Sequence, residues 1–279
     1  MSMGDRRLSP QPADGRGFRF NRGTVGILVS LAVVIYLLYR GGVFTAAYWE
    51  TVGIKFFDNF IYEKRYMMLL KGLWATIQLT LIATAIGILI GLIISLIRVA
   101  YRGGAQIGVL NFFANLYITV IRGTPVMVQV LIWYFTIFGD LRDANKLLIA
   151  ALAFGLNSGA YVAEIFRAGI ESIDPGQMEA GRSLGLSYRT TMAKIVLPQA
   201  VKHTLPTLFN ELITLLKETS IAGYIGIDDL TRGAQNIQNL TLDSSQPFLM
   251  VALIYLVIVL GLTALMNKLE RRLARSDRH

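Results

Sequence analysis

Six apolar segments decide what this chain of 279 residues can fold into. A membrane-spanning helix needs about 20 mainly apolar residues. Segments 23–39, 72–97, 109–138, 147–170, 205–227 and 247–266 meet or approach that length. The first is short but uninterrupted, and the last is the cleanest run. The third is broken by Arg122-Gly123-Thr124-Pro125, and the fifth carries Glu211, Lys217 and Glu218. The expected fold is an all-α polytopic membrane bundle, with most of the chain used in spans and short connections. Only 16% of residues are charged, against about a quarter in soluble domains. Gly87 and Gly91 stand four apart in the second segment, a spacing that lets a neighbouring helix approach closely.

Charge sets the expected orientation. With the N-terminus in the cytoplasm, 17 Lys and Arg fall on that side and 8 on the other, while Arg122 and Lys217 lie within spans. The bias follows the positive-inside rule. Both termini are then cytoplasmic. The net charge of +9 is read as cytoplasmic loops meeting anionic lipid, not as a nucleic-acid surface. Residues 1–22 are rich in Arg, Pro, Gly and Asp and read as a disordered basic tail. Residues 23–65 form an N-terminal span and a segment on the far side. That span reads as a retained anchor. A cleaved signal peptide is the alternative, and it would leave five spans in the same orientation.

Between the fourth and fifth segments lies a polar, basic loop, about residues 171–200. Asp174 and Pro175 read as a helix start, with Gln177 at the capping-box position. A short helix through Glu179 and Ala180 follows. Ala180 and Gly181 are small enough for close docking. Gly185 is free to take positive φ and end that helix. Ser187 is placed to cap a second helix from Tyr188 towards Val196, and Pro198 is expected to turn the chain back to the membrane. Two short helices would therefore lie across the cytoplasmic mouth.

Several motifs carry a resemblance. Glu179-Ala180-Gly181, Gly185 and Ile195-Val196-Leu197-Pro198 have the spacing of the EAA loop, by which bacterial ABC-importer permeases engage their ATPase. Arg122-Gly123-Thr124-Pro125 with Gln129 resembles an R-G-T-P-x-x-x-Q segment. Ala160-Tyr161 through Ile170 resembles A-Y-x-A-E-I-x-R-G-G-I, and Leu216-Lys217-Glu218-Thr219-Ser220 resembles L-K-D-T-S. Leu269-Glu270-Arg271-Arg272 matches an L-E-R-R tail. Together these resemble the polar amino-acid (histidine/glutamine/arginine/glutamate) branch of ABC-importer permeases over about residues 66–275. Departures are Gly181 for Ala, Ala168 for Gly and Glu218 for Asp. The resemblance implies a five-helix permease core, here with one extra N-terminal span.

It implies further that the chain translocates a polar amino acid across a bacterial inner membrane by alternating access. Its partners would be ABC ATPase subunits, expected as two per complex, a second permease half (another copy or a related chain), and a periplasmic solute-binding protein. The expected coupling residues are Gln177, Glu179, Ala180, Gly181, Gly185, Leu197 and Pro198. Arg122, Gly123, Thr124 and Pro125 form the expected helix break.

Ionisable groups inside a membrane are costly and face protein or water. The expected solute-path residues are Lys217, Glu218, Thr219, Ser220, Gln129, Asn157, Tyr161 and Glu164. Acids suit an ammonium group. Hydroxyls and freed backbone N–H groups suit a carboxylate. Structural readings stand beside these. Arg122 is read first as an interface anchor. Glu164 and Arg167, three apart, are placed to pair on one helix face. Asn210 and Glu211 are equally suited to holding helices together.

Enzymatic chemistry is not expected. The chain has no cysteine, only two histidines, and no phosphate-loop sequence. No metal or cofactor is expected on it. ATP and Mg belong to the partner ATPase. The rival from another class is an ion-coupled secondary transporter using Glu164 or Glu218, which leaves the EAA-like spacing unexplained. A structural membrane subunit with no path is a second rival.

Overall fold

The computed structural model describes residues 22–43, 45–139 and 145–276. The basic tail, except Arg22, lies outside the described residues. Among them every regular element is helical: α1 (Arg22–Arg40), α2 (Ala46–Phe56), α3 (Tyr66–Arg102), α4 (Gly108–Arg122), α5 (Val126–Leu131), α6 (Lys146–Glu171), α7 (Pro175–Ser183), α8 (Tyr188–Thr191), α9 (Leu197–Glu218), α10 (Leu230–Thr241) and α11 (Ser245–Ser276).

Contacts divide the chain between Ile54 and Lys55. In the first unit the apolar stretch of α1 leads into a turn at Gly42 (φ 70°). Thr45 closes that turn, its hydroxyl donating to the Gly42 carbonyl at 2.7 Å and accepting from Tyr48 N at 3.3 Å.

The second unit is built on α3 and α6. In lipid, apolar burial gives helices little reason to associate, so association depends on close packing. Gly87 and Gly91 supply it as expected, and α6 answers with two glycines of its own. A Cβ at Gly87 would sit 3.0 Å from Ser158, and one at Gly91 would collide with Val162. Cβ atoms at Gly155 and Gly159 would meet Ile86 and Ile90 at 2.6 and 2.9 Å. A core of Leu79, Ala83, Ala150, Phe154, Leu215 and Ala222 forms around this crossing.

A second core joins Phe60 and Leu69 to Leu230, Ile237 and Val251. Here α10 crosses α3 at Gly72, where a Cβ would lie 2.5 Å from the Asp229 carbonyl oxygen. Asp229 is fully buried and caps α10 by accepting from Thr231 N and Arg232 N at 3.1 and 3.0 Å. Burial nevertheless pushes its carboxyl up to about 6. Nearby, Asn59 donates to Asp243 at 2.8 Å and to Gln246 at 3.2 Å, tying the segment before α3 to the start of α11.

By length and composition, α3, α6 and the Ser245–Arg272 part of α11 are able to cross a membrane, and the bent pair of α4 with Val126–Ile137 makes a fourth span if counted as one. The expected first span falls on α1, whose Val29–Arg40 part is a shorter apolar helix. The expected fifth is α9, continued by a tight turn of helix over Thr219–Ile225. Pro198 behaves differently from the sequence expectation. The chain stays helical through it, because a wide turn over Met192–Val196 precedes the proline. Such a turn re-spaces the hydrogen bonds, so the missing proline N–H does not force a break.

Candidate functional site

The polar loop folds as two short helices packed on one another. Asp174 caps α7, accepting from Gly176 N at 2.8 Å, with Pro175 at the first position. Gln177 is not part of that cap; its side chain instead accepts from Gln199 at 3.4 Å. Ser187 caps α8, accepting from Thr190 N at 3.2 Å. Gly185 lies between them at φ 81° with open space around it. Gly181 is buried, and a Cβ there would collide with the Thr191 methyl. The pair rests on Ile173, Val196 and Ala200, joined by Ile170, Met178 and Met192. On the other side Gln177, Glu179 and Ala180 are exposed, and Leu184 is 80% exposed. Leu197 is half-buried and Pro198 exposed at the root of α9.

The expected helix break is a sharp bend. α4 ends at Arg122, Gly123 follows, and extended Pro125 starts α5 at 107° to it. A helix end strands its last carbonyls, and Gln129 reaches back to collect one. Its amide donates to Ile121 O at 2.7 Å, Thr124 O at 3.1 Å and the Thr124 hydroxyl at 2.7 Å. Asn157 on α6 donates to the Gln129 carbonyl oxygen at 3.0 Å. The amides of these two expected path residues therefore hold the bend from behind. Thr219 is also internal. Its hydroxyl donates to Leu216 O at 2.8 Å and lies 3.4 Å from the Thr80 hydroxyl.

Glu164 is the hub of an ion-pair network at one end of the bundle. Arg98 from α3 and Arg167 from α6 pair with it, the latter at 2.9 Å, and Arg122 from α4 approaches to 3.7 Å. Arg167 also pairs with Glu171, which takes Arg102 at 2.5 Å. The i,i+3 pair expected from sequence is present, within a larger cluster. The sequence reading missed Arg98, Arg102 and Glu171 because they belong to spans whose contact only the fold reveals. The usable signal was charge at the ends of two adjacent spans.

The second omission is a polar stripe on α9. His203, Thr207, Asn210, Thr214 and Lys217 are exposed and recur at intervals of four, three, four and three residues. At 1.5 Å per residue they cover about 21 Å of one helix face. Glu211 and Glu218 flank it, half-buried. Glu211 accepts from the Ser158 hydroxyl at 2.8 Å, and among the described residues neither acid is in an ion pair. A cavity of about 590 Å³ lies beside the stripe and is lined by Arg122, Tyr161, Glu164, His203, Asn210 and Glu211, among others. Ser220 lines a separate cavity with Asp229 and Arg232.

Known proteins resemble this chain in sequence and fold. Residues 104–275 match the model of the family described as binding-protein-dependent transport system inner membrane component. The arginine transport system permease protein ArtQ of Bacillus subtilis is 42% identical over 167 residues, covering 60% of this chain and 76% of that protein. The glutamine transport system permease protein GlnP of Escherichia coli K12 is 39% identical over 186 residues, covering 61% and 84%. A crystal structure of an amino acid ABC transporter superposes with a TM-score of 0.70 at 41% identity, covering 76% of this chain and 98% of that one. The inward-facing MetNI methionine ABC transporter shares the fold at 19% identity and a TM-score of 0.64. With more than half of its length matched, the chain belongs to the family of binding-protein-dependent transport system inner membrane components.

Proposed function

We propose that this permease subunit imports a polar amino acid, using ATP hydrolysed on a separate ATPase. The observation that carries the reading is the stripe of α9. A spanning helix with five exposed polar positions in register is costly against lipid and needs water, solute or a partner chain along that face. The stripe therefore lines the path, completed by a second permease half, either another copy or a paralogue. Two ATPase copies dock on α7 and α8, and a solute-binding protein delivers the amino acid from the other side. No cofactor is needed on this chain; ATP and Mg sit on the ATPase. The names of two similar permeases, for arginine and glutamine, support the substrate class. An ion-coupled carrier would leave the exposed face of α7 and Leu184 without a purpose.

Reconstituting the permease with its ATPase and binding protein in proteoliposomes tests the reading. Uptake of L-arginine or L-glutamine should require ATP. Uptake driven by an ion gradient alone would overturn it. In the same assay Glu218→Gln should lower uptake per assembled complex by roughly tenfold, the worth of one charge-assisted contact. Wild-type uptake at normal abundance would remove Glu218 from the path.

We place both termini in the cytoplasm, with six spans, from the distribution of Lys and Arg. The chain has no cysteine, so single cysteines report without background. An impermeant thiol reagent added outside should label Asp58→Cys and spare Glu270→Cys. Labelling at 270 alone would invert the orientation.

A further inference from the structure

We propose that a cavity of about 470 Å³, between the ends of α3 and α6 and the helix pair α7 and α8, binds one anionic phospholipid, with its phosphate on Arg102 and part of an acyl chain on an apolar wall. The site is separate from the α9 stripe and does not depend on which solute is carried. Its volume falls within the ~300–1,000 Å³ common for small-molecule sites.

The position suits a lipid. Arg102 is the last residue of α3 and Glu171 the last of α6. The cavity therefore lies where two apolar spans give way to a polar loop, at the level of lipid headgroups. Tyr188 joins α3 to α8 on one side, where a Cβ at Gly103 would sit 2.5 Å from its ring. Val99, Ile170, Met178 and Met192 make the apolar wall. Methionine adapts to irregular apolar shapes such as an acyl chain. Both methionines also border the core beneath α7 and α8, so a chain bound here reaches the seat of that helix pair.

The charge suits an anion. Arg98, Arg102 and Arg167 line the cavity against two acids, Glu171 and Asp174. Glu164, which pairs with Arg98 and Arg167, is shared with Arg122. Four arginines thus face three acids, and one positive charge stays in surplus. Asp174 spends an oxygen on capping α7. The surplus is reachable at Arg102, whose side chain is 53% exposed. One of its nitrogens donates to Glu171 at 2.5 Å, and Glu171 is itself shared with Arg167. A guanidinium carries five donors in a fork that matches phosphate oxygens, so Arg102 keeps donors for a headgroup. A cationic amphiphile would be repelled by the same surplus. A zwitterionic phospholipid brings its own cation and loses the net attraction.

Native mass spectrometry of the purified permease–ATPase complex, titrated with phosphatidylglycerol or phosphatidylcholine of the same acyl chains, tests the site. Wild type should bind the first phosphatidylglycerol about fivefold more tightly than the first phosphatidylcholine, the worth of one basic side chain at an anionic lipid. Arg102→Gln should remove that preference. Its pair with Glu171 is exposed at both ends, so its loss costs little stability. Val99→Trp fills the apolar wall and should also remove the preference, with every arginine in place. Arg271→Gln, on the exposed end of α11, should keep it. Equal affinity for the two lipids in wild type, an unchanged preference in Arg102→Gln or Val99→Trp, or an equal loss in Arg271→Gln would overturn the site and leave only diffuse attraction of lipid to a basic face. Displacement of phosphatidylglycerol by millimolar inorganic phosphate would also overturn it, giving Arg102 to a free anion.

Discussion

Gly181→Leu is expected to uncouple the transporter, lowering solute-stimulated ATP hydrolysis and uptake at least tenfold while the chain still inserts. Even one carbon at this position collides with the Thr191 methyl. Thr191 has no room to yield. It is fully buried, and its hydroxyl donates to Ser187 O at 3.0 Å. Overpacking a tight contact typically costs about 1–3 kcal/mol, and here the relief is for α7 to lift away from α8. The exposed surface of Glu179, Ala180 and Leu184 would then reach the ATPase at a changed angle. Gly185→Leu should be milder. The space around Gly185 is open, so its cost is the left-handed backbone alone, about 1–2 kcal/mol. ATPase assays on proteoliposomes, with and without loaded binding protein, measure both variants. Wild-type stimulation in Gly181→Leu would dissociate this helix pair from coupling.

Glu164→Gln should reduce the yield and melting temperature of the assembled complex. Three guanidinium groups from α3, α4 and α6 converge on this carboxylate. Removing its charge leaves them facing one another at an 18% exposed site. Breaking a fully buried pair costs about 3–5 kcal/mol, and water access here lowers that to about 2–3 kcal/mol. Glu164 was also legible as a solute ligand, and the two roles separate cleanly. A lower melting temperature with uptake per complex nearly intact assigns it to holding three helices together. An unchanged melting temperature with lost uptake assigns it to the solute.

The sequence by itself determined the class of fold and the local form of its parts. Apolar length required membrane helices. Asp174, Pro175, Gly185 and Ser187 marked the ends of α7 and α8 because capping and positive φ are local demands of the backbone. Arg122-Gly123-Thr124-Pro125 marked a break for the same reason, and Gly87 with Gly91 marked a close crossing. None of these needs knowledge of a distant residue.

The tertiary structure decided which side chains are spent and which are spare. Gln129 and Asn157 read as path residues in sequence, and the fold adds that their amides close the back of the bend. Thr219 belongs to the core for the same kind of reason. Arg122 shares Glu164 with arginines from α3 and from the next turn of α6, which one span's sequence cannot show. Pro198 read as a turn because the wide turn before it has no local signature. The stripe on α9 was present as a polar periodicity. Its exposure depends on α6 and α3 covering the other faces of that helix, and burial is a property of neighbours, not of the segment.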